Sequence, residues 1–122
     1  MEHYYILNKC KEVAHYAEVA SHFPEGSDAY IVALLHDTIE DELFESVHIF
    51  KAFPLHIYTA VLELTRKKES YKEYIKRVSE SSKLARQVKH ADLTVNLARP
   101  GMPSLKKRYR EALKVITNSL FI

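Results

Sequence analysis

The stretch Ile31-Val-Ala-Leu-Leu-His-Asp-Thr-Ile-Glu-Asp41 constrains the fold most, because a five-residue apolar run leads directly into one imidazole and three carboxylates within six residues. The apolar run asks for burial and the acids oppose it. If the segment is helical, His36/Glu40 and Asp37/Asp41 are i,i+4 pairs and Asp37/Glu40 is i,i+3, which gathers all four polar groups toward one side of a helix end. On a solvated surface, like charges so placed cost only about 0.2–0.5 kcal/mol per pair. Against an apolar helix their desolvation is far more costly, and a bound divalent cation resolves the conflict.

The rest of the chain supplies helices to surround this segment. Two glycines and four prolines in 122 residues are too few turn formers for an all-β fold, and 47% hydrophobic content is enough for a single compact core. The spacing predicts helices over about 4–21, 27–38, 43–51, 54–65, 71–78, 83–98 and 104–118, an all-α bundle of six or seven helices. Ser27 or Asp28 can cap the second, Ser70-Tyr-Lys-Glu73 has capping-box spacing, and Ser104 can cap the last. Tyr5, Val61, Leu62, Leu64, Leu105, Tyr109, Leu113 and Ile116 are core candidates.

No run of about 18 or more apolar residues marks a membrane span, and Met1-Glu-His-Tyr-Tyr opens without a secretory pattern. The single cysteine, Cys10, cannot form an internal disulfide, so a reducing cytoplasm is the expected setting. Net charge is +2 but unevenly placed: residues 1–61 carry three Lys/Arg against ten Asp/Glu, and 62–122 carry fifteen against six. The acidic half suits a cation. The basic half suits a phosphate-bearing ligand or is a solvated face, and it lacks a recognised DNA-reading motif, which disfavours nucleic acid as a partner.

Further metal ligands are at hand in two other predicted helices. His15 lies in the middle of the first, and Asp92 lies among apolar neighbours in Val88-Lys-His-Ala-Asp-Leu-Thr-Val-Asn-Leu97, where an aspartate needs a partner. Two imidazoles and two carboxylates on three helices make a mixed N/O site suited to Mn, Fe, Zn or another divalent ion.

The pattern His15…His36-Asp37…Asp92 resembles that of small HD-domain metal-dependent phosphohydrolases. It is most similar to the hydrolase domain of the Rel/SpoT-type (p)ppGpp enzymes and their small stand-alone relatives. Their His-Asp-x-x-Glu-Asp matches His36-Asp-Thr-Ile-Glu-Asp41, and their Val-Lys-x-Ala-Asp-x-x-x-Asn matches Val88 to Asn96. Leu64-Thr-Arg and Tyr71-Lys-Glu-Tyr-Ile75 resemble a stretch found in small bacterial members. The similarity spans about 15–116, which implies a single HD domain over residues 1–122.

The resemblance implies that His15, His36, Asp37 and Asp92 bind one divalent metal, manganese first and Fe, Zn, Co, Ni or Mg as alternatives. It also places Glu40 and Asp41 beside the metal's water as catalytic carboxylates. Lys89 and Asn96, within a helical turn of Asp92, are expected to contact substrate, as are Arg66, Lys67 and Tyr71. The implied activity is hydrolysis of a nucleotide or related small phosphate ester or anhydride. A narrower alternative is 3'-pyrophosphohydrolysis of guanosine tetra- or pentaphosphate; one of another class is a non-catalytic metal- or nucleotide-binding regulatory module. This chain departs from the alarmone hydrolases in lacking their basic segment before the first histidine, in the context Ala14-His15-Tyr16, and in having Leu93 after the second aspartate.

Overall fold

A computed structural model describes residues 2–121, and among them there are eight α-helices and no strand. In chain order they are α1 (His3–Lys11), α2 (Ala14–Ala20), α3 (Asp28–Leu35), α4 (Ser46–Ala52), α5 (Leu55–Leu64), α6 (Tyr71–Ser79), α7 (Lys83–Ala98) and α8 (Pro103–Phe121). None is long and apolar enough to cross a membrane. The all-α expectation holds, with eight helices in place of six or seven.

α3 is the hub. Its last four residues, Val32 to Leu35, are all buried, the pattern of a helix covered all round rather than on one stripe. α1, α2, α5 and α7 pack against it, and α7 in turn carries α8. Ser27 starts α3 by accepting from the Tyr30 N–H at 3.2 Å, and Ser82 starts α7 by accepting from the Ala85 N–H at 3.2 Å. The box at α6 forms as its spacing predicts: Ser70 Oγ accepts from the Glu73 N–H at 3.1 Å, and Glu73 Oε1 accepts from the Ser70 N–H at 2.9 Å.

The extra helix comes from a break in the predicted 4–21 segment. No glycine or proline marks it; Val13 adopts an extended conformation (φ −92°, ψ 111°) and becomes the N-cap of α2. The cause is tertiary. α1 and α2 both pack on α3, which at eight residues is about 12 Å long, whereas an unbroken 18-residue helix would run about 27 Å and pass beyond it. Folding back at Val13 lets both pieces bury their faces, and the β-branched Val13 tolerates the extended state. His15 therefore sits at the second position of α2 rather than in mid-helix.

Other differences are smaller. α3 ends at Leu35 rather than Thr38, α4 begins at Ser46 rather than near Leu43, and α8 begins at Pro103, so Ser104 is inside the helix and caps nothing. Pro103 presets the first helical φ. Tyr5, Leu62 and Leu105 are exposed, at 49%, 37% and 39%, while Val61, Leu64 and Ile116 are in the core and Tyr109 and Leu113 pack against it.

After α3 the chain continues as one tight turn and then stops. The Thr38 N–H bonds the Leu35 carbonyl and the Asp41 N–H bonds the Asp37 carbonyl. The Leu43 N–H then reaches Thr38 and the Glu42 N–H reaches Ile39, the paired bonds of a Schellman ending. That ending puts Glu42 in the left-handed region (φ 58°), where a side chain is strained and glycine is at ease. Glu42→Gly is accordingly expected to raise stability by up to about 1 kcal/mol, read as a higher urea midpoint with unchanged slope.

Candidate metal centre

Three helices deliver four ligand atoms to one place. His15 comes from the start of α2, His36 and Asp37 from the C-terminal end of α3, and Asp92 from the middle of α7, and one donor atom from each lies within 4.8 Å of all the others. An ion bonded at about 2.0–2.2 Å holds adjacent donors roughly 3 Å apart and opposite ones roughly 4.3 Å apart. The four side chains thus need only small adjustments to share one.

His36 gives the clearest sign that the cluster suits a cation. It is 2% exposed, and its Nδ1 lies 2.6 Å from the Ala33 carbonyl, which can only accept, so Nδ1 carries the proton. Nε2 is then a lone pair in the neutral ring. It lies 3.2 Å from Asp37 Oδ2 and 3.5 Å from Asp92 Oδ1, yet meets neither in hydrogen-bonding geometry. A backbone carbonyl fixing one ring nitrogen while the other faces carboxylates is the outer-sphere arrangement typical of metal-bound histidine.

Asp92, 4% exposed, joins the parts. Its Oδ1 is 2.8 Å from His15 Nε2, and its Oδ2 accepts from Lys89 Nζ at 3.0 Å. Burial alone would raise its pKa, but the Lys89 ammonium and the two imidazoles outweigh burial and hold it well below the usual carboxylate range. Burial likewise opposes ionisation of Asp37, and the His36 charge beside it brings its pKa down. At His36 burial disfavours the charged ring, yet Asp37 and Asp92 together push its pKa up to about 10. The two carboxylates thus favour positive charge at this nitrogen, whether a proton or a metal ion carries it.

A sign follows for metal binding. Below pH 10 the ion must displace the His36 proton, so affinity should rise with pH by up to about tenfold per unit above neutrality and level off near 10. Calorimetric titrations in buffers of different ionisation enthalpy should show about one proton released per ion at pH 7 to 8. Affinity independent of pH across that range would contradict this protonation state.

Glu40 and Asp41 stand outside the four-residue cluster, both exposed, and each is held by a donor. Glu40 Oε1 accepts from the Arg66 backbone N–H, and Asp41 Oδ2 accepts from the Tyr16 hydroxyl. Although the residue is exposed, the protein around its carboxyl group partly desolvates it, and this, with Asp37 close by, raises the Glu40 pKa despite the Arg66 N–H. Tyr16 is 2% exposed, its ring 5.8 Å from that of His36, so it links the ligand shell to Asp41. Nothing in the spacing of the sequence marks Tyr16; only its adjacency to His15 hints at the role.

Lys89, expected to face substrate, is 8% exposed, bound to Asp92 and 4.9 Å from the Tyr74 ring centroid. It orients a ligand and partly neutralises the acidic centre. Arg66 lies beside the site through its backbone, while its guanidinium donates to the Glu69 carbonyl and sits 5.6 Å from the Tyr71 ring centroid. The loop they share is pinned from α6 by Arg77, which reaches Glu69 Oε2 at 2.8 Å and the Glu63 carbonyl at 2.8 Å. Lys67 is exposed, with its N–H on Glu69, and Asn96 is half-buried one turn beyond Asp92. Arg108 of α8, which the sequence does not single out, stacks 3.7 Å from the Tyr71 ring centroid.

Comparison with known proteins gives no matching family model and no matching curated protein. The case for function therefore rests on the site itself.

Proposed function

We propose that this chain is a metal-dependent phosphohydrolase of the HD type, acting on a nucleotide or a related small phosphate ester or anhydride. The supporting observation is the convergence of His15, His36, Asp37 and Asp92 around an unsatisfied imidazole nitrogen, in the same order and sequence contexts that resemble the HD signature. A divalent ion held there supplies a water of lowered pKa and a Lewis acid for a phosphoryl oxygen. Two nitrogen and two oxygen donors suit a divalent ion such as Mn, Fe or Zn, and the resemblance to HD phosphohydrolases favours manganese, with Fe, Zn, Co, Ni and Mg as alternatives.

The chain's own residues provide the rest. Lys89 keeps one Asp92 oxygen turned away and leaves the other for the ion. Its ammonium also offsets one of the two ligand carboxylates, so that a loaded centre attracts rather than repels a phosphate. Glu40, with its raised pKa, and Asp41 are placed to take or orient a proton at the mouth. Arg66, whose backbone N–H holds Glu40, and its neighbour Lys67 add positive charge on this loop, which favours a phosphate-bearing ligand.

The test is a panel of nucleotides, alarmones and phosphate monoesters incubated with protein loaded with each metal, with products resolved as orthophosphate or pyrophosphate. Turnover that requires metal supports the reading, and pyrophosphate as product narrows it to a pyrophosphohydrolase. Stoichiometric metal with no turnover of any substrate would instead favour a regulatory binding module.

A further inference from the structure

A groove of about 750 Å³ lies between α6 and α8. Its size falls in the roughly 300–1,000 Å³ range of small-ligand sites. Ile75, Ala112 and Val115 give it an apolar wall, and Lys72 and Lys76 stand along it. Tyr71 and Arg108 line it too, with the guanidinium laid over the phenol ring at 3.7 Å.

Both members of that stack carry an unmet polar atom. Tyr71 Oη and Arg108 Nε are buried and have no hydrogen-bond partner among the described residues. A buried orphan of this kind costs about 1–3 kcal/mol, and here two occur side by side on different helices. Tyr71 also adjoins the surroundings of the metal centre: its ring centroid is 6.1 Å from that of Tyr74, and Lys89 Nζ, which bonds Asp92, lies 4.9 Å from the Tyr74 centroid. The stack is therefore one aromatic ring removed from the lysine that holds a candidate ligand.

We infer that this groove is a second subsite, which takes the nucleobase of a nucleotide whose phosphoryl group lies at the metal centre. A base is flat and has apolar faces, so it can lie against the wall of Ile75, Ala112 and Val115. Its edge carries ring nitrogens and carbonyl oxygens able to accept from Arg108 Nε–H and Tyr71 O–H. Lys72, Lys76 and Arg108 outnumber Glu73 and Glu111 along its lining, a small net positive charge for an anionic ligand. The inference rests on the proposed phosphohydrolase reading for the position of the phosphate, but the groove can be tested apart from it.

The experiment measures binding, not turnover. Manganese-loaded protein is titrated with inorganic phosphate, with guanosine and adenosine, and with their 5'-monophosphates, using wild type, Arg108→Met and Val115→Trp. Val115 is 43% exposed, so a tryptophan there fills the groove from its rim without entering the core. The expected result is that a monophosphate binds at least tenfold more tightly than phosphate, and that both variants remove that advantage while phosphate affinity and metal content stay at wild-type levels. Chemical shifts of α6 and α8 amides should move with the nucleosides alone. If the monophosphates bind no better than phosphate, or Val115→Trp leaves their affinity unchanged, the subsite is wrong. If phosphate fails to bind but nucleosides still do, the groove stands and the phosphohydrolase reading fails.

Discussion

Asp92→Ala protein is expected to lose tight divalent-metal binding and to be less stable even with no metal present. The first effect should exceed the roughly 10–100-fold that removal of an outer-sphere partner costs, because Asp92 Oδ1 lies 2.8 Å from His15 Nε2 and 3.5 Å from His36 Nε2, within the ligand cluster itself. The second follows from Lys89, 8% exposed, whose ammonium would be left buried without its partner. Breaking a buried pair from one side costs about 3–5 kcal/mol. Adding Lys89→Met should recover much of the stability and none of the metal binding, which separates the two roles of Asp92. Elemental analysis and urea melts read both; full metal occupancy in Asp92→Ala would overturn the ligand assignment.

The second large effect is on turnover. Glu40→Gln with Asp41→Asn should lower the rate on the best substrate by about 10²–10⁴ while metal content stays near wild type, since amides keep the shape and remove the basicity. The geometry separates these two from the ligand cluster: each is exposed and held by a donor, the Arg66 N–H or the Tyr16 hydroxyl. Wild-type rates in the double variant would sink the catalytic assignment. Metal lost in either single variant would move that residue into the ligand shell.

Much of the fold is legible because its signals are local. The 83–98 helix matches its predicted bounds, closed off by Ser82 at one end and the Arg99-Pro100-Gly101 segment at the other, and the Ser70/Glu73 box forms as its spacing requires. The four candidate ligands are legible for a related reason: His and Asp next to apolar residues need a partner, and the buried His36 and Asp92 find it in each other and in the half-buried His15 and Asp37. What fails to show in the sequence is set by contacts between distant segments. The break at Val13 exists because α1 and α2 share the short α3, which no composition at residues 11–14 announces. Tyr16 meets Asp41 25 residues later, and Arg108 meets Tyr71 from the opposite helix. Lys89's place three residues before Asp92 is legible from helical spacing and does bring it to the metal's surroundings, but its burial and its bond to Asp92 are tertiary and do not show in the sequence.

Anomalous diffraction from crystals grown with manganese locates the ion. One peak per chain is expected, bonded to a nitrogen each of His15 and His36 and an oxygen each of Asp37 and Asp92, with His36 Nδ1 still on the Ala33 carbonyl. No peak at saturating metal, or a peak elsewhere with His36 Nε2 unbonded, would contradict the ligand assignment.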